Sequence, residues 1–236
     1  ADELTEQVRS AIKPGATCVD LDVDKCDFSD PAIYELLGSG HTADLIEEVI
    51  GGRPALAREH LGMYLRHKGM QPTEYKHIVA LIALYRPGPL GAGMVTSYIN
   101  RMNGKEPVVF YDDRLSDILD ETYGTMVYQE QVMQISMKMS GFTAGESDSR
   151  MRKPVAKKKI KMLTSQVFHW EGDGADETIY DHWMNGAIGN GYQRDVAQRI
   201  WDDVLEFASY AFNKSHAAGY GLVSYWTAYF KANFTA

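Results

Sequence analysis

Seven cations and no acid fall within the twelve residues 150–161: Arg150, Arg152, Lys153, Lys157, Lys158, Lys159 and Lys161. At that density like charges repel, and phosphate oxygens would relieve the repulsion. Arg offers a planar fork suited to phosphate, Lys a point charge. The same stretch also reads as a solvated helix face balanced by acids elsewhere. A second place of interest is Arg86-Pro87-Gly88-Pro89. Its prolines fix a rigid turn, which either holds a guanidinium where a phosphate arrives or simply stops a helix. In Tyr210-Ala211-Phe212-Asn213-Lys214-Ser215-His216, two aromatics stand beside four polar side chains. That is a contact surface for a nucleotide or strand, or a corner between helices, and on these residues alone the corner is the simpler reading.

Asp20, Asp22, Asp24 and Asp27 invite a metal. An EF-hand loop starting at Asp20 needs Gly at its sixth place and Glu at its twelfth, where Lys25 and Pro31 stand. An Asp-x-Asp on a strand would still set two carboxylates on one face for magnesium-dependent phosphoryl transfer, against the plainer solvated acidic loop. The seven His show no metal-ligand spacing, and Cys18 and Cys26 form no Cys-x-x-Cys, so they read as incidental thiols of a cytoplasmic protein. P-loop, dinucleotide-binding and hydrolase-elbow motifs are absent from the sequence.

Helices must position these residues. Leu4, Val8 and Ile12 are spaced for a helix over 2–12, and Asp30-Pro31 opens another through Leu37. Helical patterns resume at 42–50 and 54–68. Thr73 reads as the N-cap of an apolar helix running from Ile78 to Leu84, which the prolines at 87 and 89 end. Further helices are predicted over Met94–Arg101, Leu115–Leu119, Tyr128–Met139, 159–170 and Ala217–Phe234. The strongest is Asp195–Ala208, with Val196, Ile200, Val204 and Phe207 on one face. Val108-Val109-Phe110-Tyr111 is the best strand candidate, so the expected fold is mainly α with little or no sheet. With 236 residues, 44% of them hydrophobic, the chain suits one large domain or two small ones and is too aromatic to be disordered. No apolar run approaches the ~20 residues of a membrane span, and no signal peptide is visible. The missing initiator Met reads as processing or excision from something longer. Net charge is −8, yet residues 1–48 hold 12 acids against 3 bases and the remainder 20 against 21. The acidity is local, and the body carries one concentrated cationic stretch.

Four segments, in order, resemble the bacterial replicative DNA polymerase III alpha subunits of family C. They are Ile78–Pro89, Tyr123–Ile135, Lys157-Lys158-Lys159, and Phe212-Asn213-Lys214-Ser215-His216 with Leu222-Val223-Ser224-Tyr225. The resemblance covers about 59–234, more loosely 20–42, and leaves out 43–58. It implies a helical fingers domain over 43–236, preceded by an acidic helix and connecting segment, 1–42, leading out of the palm. It further implies that Arg152 and Lys153 face the triphosphate of the incoming dNTP. Lys157, Arg86, Asn213, Lys214, Ser215 and His216 would join them, while Lys158, Lys159 and Lys161 would meet primer–template DNA. The catalytic magnesium (Mg2+) carboxylates of such polymerases lie in the palm. No cofactor is therefore expected on this chain, and alone it is expected to be inactive. Implied partners are the palm and thumb and the replisome subunits, in the cytoplasm and away from membranes. The competing expectation is a non-enzymatic helical interaction module that keeps the polymerase-like core. Two departures stand out. The family's Phe-Gln-x-Glu-Ser-x-Gly-Met survives as Glu59-His60-Leu61-Gly62-Met63, and its Arg-Arg-Ala-Met-Gly-Lys-Lys-Lys reads Arg152-Lys153-Pro154-Val155-Ala156-Lys157-Lys158-Lys159.

Overall fold

Amphipathic spacing produces helices almost wherever the structure, a computed structural model, describes the chain: residues 28–39, 69–91, 93–170 and 176–233. Seven helices of nine residues or more stand among them: α1 (Pro31–Ser39), α2 (Tyr75–Leu84), α3 (Met94–Met102), α4 (Gln129–Ser140), α5 (Ile179–Gly189), α6 (Arg194–Phe207) and α7 (Lys214–Asn233). A two-stranded antiparallel sheet, β1 (Val167–His169) and β2 (Asp176–Thr178), pairs Phe168 with Glu177. The fold is mainly α, as expected. The helices expected over 2–12, 42–50 and 54–68, the acids at 20–27, both cysteines and Glu59–Met63 lie outside the described residues. No described helix is long and apolar enough to cross a membrane.

The chain divides into two compact units, 83–217 and the remainder. In the smaller, Ile33, Tyr34, Ile78, Tyr225, Ala228 and Tyr229 are buried together. Phe28 stacks on Tyr75 at 4.3 Å, and the Tyr75 hydroxyl donates to the Ala218 carbonyl at 2.6 Å. Thr73 does not cap α2. Its own N–H and that of Glu74 donate to Nδ1 of the buried His77, at 3.1 and 3.2 Å. The ring reaches back to satisfy two backbone donors just ahead of the helix. Burial lowers the His77 pKa from 6.5 to about 4. The unfolded chain therefore takes up a proton near pH 6.5 that the folded chain refuses until about pH 4. Stability is full above 6.5 and is lost as pH falls towards 4, with a slope approaching about 1.4 kcal/mol per pH unit. Urea unfolding at pH 7 and 5.5 should show this loss, and His77→Gln should remove most of it; an equal slope in the variant would contradict the assignment.

In the larger unit α4, α5 and α6 enclose a core containing Trp170, Trp183 and Trp201. The indole of Trp183 donates to the Ala197 carbonyl at 3.1 Å, so its N–H is satisfied within the core. On α6 the buried face is Ala197, Ile200, Trp201, Val204 and Phe207, with Val196 at its margin. The start of α4 is fixed by buried Gln131. Its Oε1 accepts from the N–H groups of Val127 and Tyr128, and its Nε2 donates to Thr122 Oγ1 at 2.7 Å. Gly141, at φ 76°, ends the helix in the left-handed conformation that suits glycine.

Two expectations about this unit are corrected. Residues 108–111 form no strand; Val108 and Val109 are exposed, and no described segment pairs with them. Their β-branched side chains favour a pleated surface only where a neighbouring strand supplies one. The helix expected over 159–170 stops at Ser165, and residues 167–169 become β1 because 176–178 pairs with them as β2. Helix α5 was not foreseen. Gly186 and Gly189 dilute its apolar pattern, yet Ile179, Trp183, Met184 and Ala187 are buried.

Candidate functional site

The basic stretch opens on a π-helical turn, Ser147–Arg152, followed by a short helix, Lys153–Ala156. In this turn the Lys153 N–H reaches the Asp148 carbonyl, five residues back. The turn docks on α4, where Ser136 Oγ donates to Ser147 Oγ at 2.9 Å, and Met151 and Val155 enter the core. The seven cations divide into two classes. Arg150 turns onto the rings of Trp170 and Phe168, 4.2 and 5.0 Å from their centroids, and donates to the His169 carbonyl. Arg152 and Lys153 both bond Asp148, through Arg152 Nε to Oδ1 at 2.6 Å and Lys153 Nζ to Oδ2 at 2.7 Å. The two cations hold the Asp148 carboxyl below the usual carboxylate range, the hydrogen bond from Lys153 first. Lys157, Lys158, Lys159 and Lys161 are exposed and make no ion pair among the described residues. Lys158 has φ 54°, a left-handed conformation costing a non-glycine residue about 1–2 kcal/mol. Such strain is typical of functional turns.

The remaining candidates gather around the residues just before α7. The Arg86 guanidinium donates to the carbonyls of Ala83 and Tyr210 and lies 4.4 Å from the Phe212 ring centroid. Partial burial lowers its pKa. Gly88 presses on the same segment, where an added Cβ would come within 2.9 Å of Tyr210 Cβ. Phe212 bridges to Tyr128, and its carbonyl accepts from Gln129 N at 2.9 Å. Asn213 caps α7, accepting from His216 N, while its amide donates to Glu130 Oε1; both bonds are 2.8 Å. Lys214 donates its backbone N–H to Glu130 Oε2 at 2.9 Å and its ammonium to both oxygens of Glu121 at 2.7 Å. Ser215 and His216 are exposed on the first turn of α7. The turn at Arg86 is therefore more than a helix stop: it braces the backbone that presents Asn213 to His216.

One helix carries both groups. Glu130 on the first turn of α4 holds Asn213 and Lys214, and Ser136 holds the π-turn about 9 Å further along the axis. Asp148, Glu121 and Glu130 were missed in the sequence, where an acid within a helix reads as solvated surface. A cleft of about 570 Å³ was also missed; its walls include Arg101, Tyr111, Arg199, Asp203, Glu206 and Tyr210. There the Tyr111 hydroxyl donates to Asp203 Oδ2 at 2.6 Å, and burial followed by Glu206 and Asp203 pushes Tyr210 up to about 12. Among the described residues no three His, Cys, Asp or Glu side chains converge where a metal ion could sit.

The family described as bacterial DNA polymerase III alpha subunit finger domain matches residues 4–175. The chain is 40% identical over 218 residues to DNA polymerase III subunit alpha of Aquifex aeolicus, covering 92% of this chain and 17% of that protein. To the proteins of the same name from Mycobacterium leprae and Thermus aquaticus it is 40% and 37% identical, again over 92% of this chain. It spans about a sixth of the length of these relatives, covering 17% of the Mycobacterium leprae protein and 16% of the Thermus aquaticus one.

Proposed function

Because the chain belongs to the bacterial DNA polymerase III alpha subunit finger-domain family, we propose that it binds the triphosphate of an incoming dNTP and the primer–template during nucleotidyl transfer. The observation that carries this reading is the set of exposed cations that make no ion pair among the described residues, Lys157, Lys158, Lys159 and Lys161, continuing from Arg152 and Lys153 where the π-turn passes into the short helix. Arg152, Lys153 and Lys157 neutralise the triphosphate and the charge that builds up on the departing pyrophosphate, a task of positioning and electrostatics. Lys158, Lys159 and Lys161 attract the DNA backbone by displacing condensed counterions. Ser215 and His216 offer polar contacts at the N-terminal end of α7, while Arg86, Asn213 and Lys214 hold that end in place. Palm and thumb of the longer polymerase, with its replisome in the cytoplasm, complete the machine; the catalytic carboxylates come from the palm. Titrating the chain with dATP tests the nucleotide half. Replacing Arg152, Lys153 and Lys157 together by Gln should weaken binding about tenfold or more, since each charge-assisted hydrogen bond contributes about 1.5–3 kcal/mol. Unchanged affinity would contradict the reading.

A further inference from the structure

Asp148 lies between two cations and is ion-paired with both, Arg152 and Lys153. In an α-helix of 3.6 residues per turn, positions i+4 and i+5 stand about 40° and 140° around the axis from i, so one side chain cannot meet both. The π-turn over Ser147–Arg152 removes that obstacle. Its i to i+5 bond, from Lys153 N–H to the Asp148 carbonyl, brings residue 153 back above 148 while 152 still flanks it. Both cations then converge on one carboxylate, Arg152 through Nε and Nη2 and Lys153 through Nζ. The guanidinium edge that grips an anion bidentately is thus occupied by Asp148. The cluster is open to solvent, with side-chain exposures of 29% for Asp148, 26% for Arg152 and 53% for Lys153, so an incoming anion can reach it.

We propose that Asp148 is an internal counter-anion that the triphosphate displaces: it keeps Arg152 and Lys153 convergent in the unliganded chain and competes with phosphate for the same donors. The inference rests on the triphosphate reading above and adds to it a residue that acts through the two cations. A structural role alone would make any loss of Asp148 weaken anion binding. A displaced counter-anion makes its neutralisation strengthen binding, because the negative charge that competes for the same donors disappears.

Calorimetric titration with inorganic triphosphate, without magnesium, separates these cases in the whole chain. Asp148→Asn keeps the shape and one carbonyl acceptor and should bind about fivefold or more tightly. Asp148→Glu keeps the charge and should show no such gain. Thermal unfolding of each variant checks that the fold is retained. Weaker or unchanged binding by Asp148→Asn, while Arg152→Gln still weakens the wild-type chain, would overturn the counter-anion role and leave the triphosphate reading standing. Triphosphate binding that is absent, or insensitive to both Arg152→Gln and Lys153→Gln, would overturn the reading and the inference together.

Discussion

Gly186→Ala should lower the unfolding free energy of the larger unit by about 2 kcal/mol or more, although the same change in an exposed helix is stabilising by about 1 kcal/mol. Gly186 lies in α5, against the C-terminal end of α4. A Cβ there would stand 2.0 Å from the Ser140 carbonyl oxygen, 2.8 Å from its carbon and 3.0 Å from its Cα. All three are backbone atoms, so no rotamer change relieves the clash. The helices must part instead, and α5 then withdraws Trp183, Met184 and Ala187 from the core they fill. Close-packed interiors transmit such a shift rather than absorbing it. Gly189→Ala supplies the control in the same helix, because a Cβ there meets nothing within 4 Å. Urea unfolding should show a clear drop in midpoint for Gly186→Ala and no drop for Gly189→Ala. Equal midpoints would contradict the packing of α5 on α4.

Helical periodicity made the fold class legible, and α6 shows why. Ile200, Val204 and Phe207 recur at helical spacing, and the structure buries them on one face. Strands were less legible because pairing decides them: the β-rich run at 108–111 finds no partner among the described residues, while 167–169 does. The charge density of 150–161 was plain in the sequence, but its division into cations paired with Asp148 and cations without an ion pair among the described residues was not. Asp148 meets Arg152 and Lys153 together only in a π register, which no residue type announces. The segment 210–216, readable as a corner between helices or as a contact surface for a nucleotide or strand, runs from just after α6 into the first turn of α7. Its supports lie far away in sequence: Glu121 for Lys214, Glu130 for Asn213 and Arg86 for the Tyr210 carbonyl. Local spacing carries no trace of such pairs.

Neutralising the three consecutive lysines should remove most of the chain's affinity for DNA at low salt. All three are exposed and make no ion pair among the described residues, so their charge is available to phosphate. Gln serves at 157 and 159. Asn serves at 158, because it tolerates the left-handed backbone at φ 54°. Each lysine that contacts a duplex phosphate contributes about 0.9 to the slope of log affinity against log salt. The loss then amounts to about tenfold or more at 50 mM salt and shrinks as salt rises. The measurement that bears most directly on the proposed function is therefore primer–template binding across a salt series, wild type against Lys157→Gln/Lys158→Asn/Lys159→Gln. A steep wild-type slope, shallower by about 2 to 3 in the variant, is the predicted result. Equal affinity and equal slope in the two chains would contradict it and leave the lysines a solvated face.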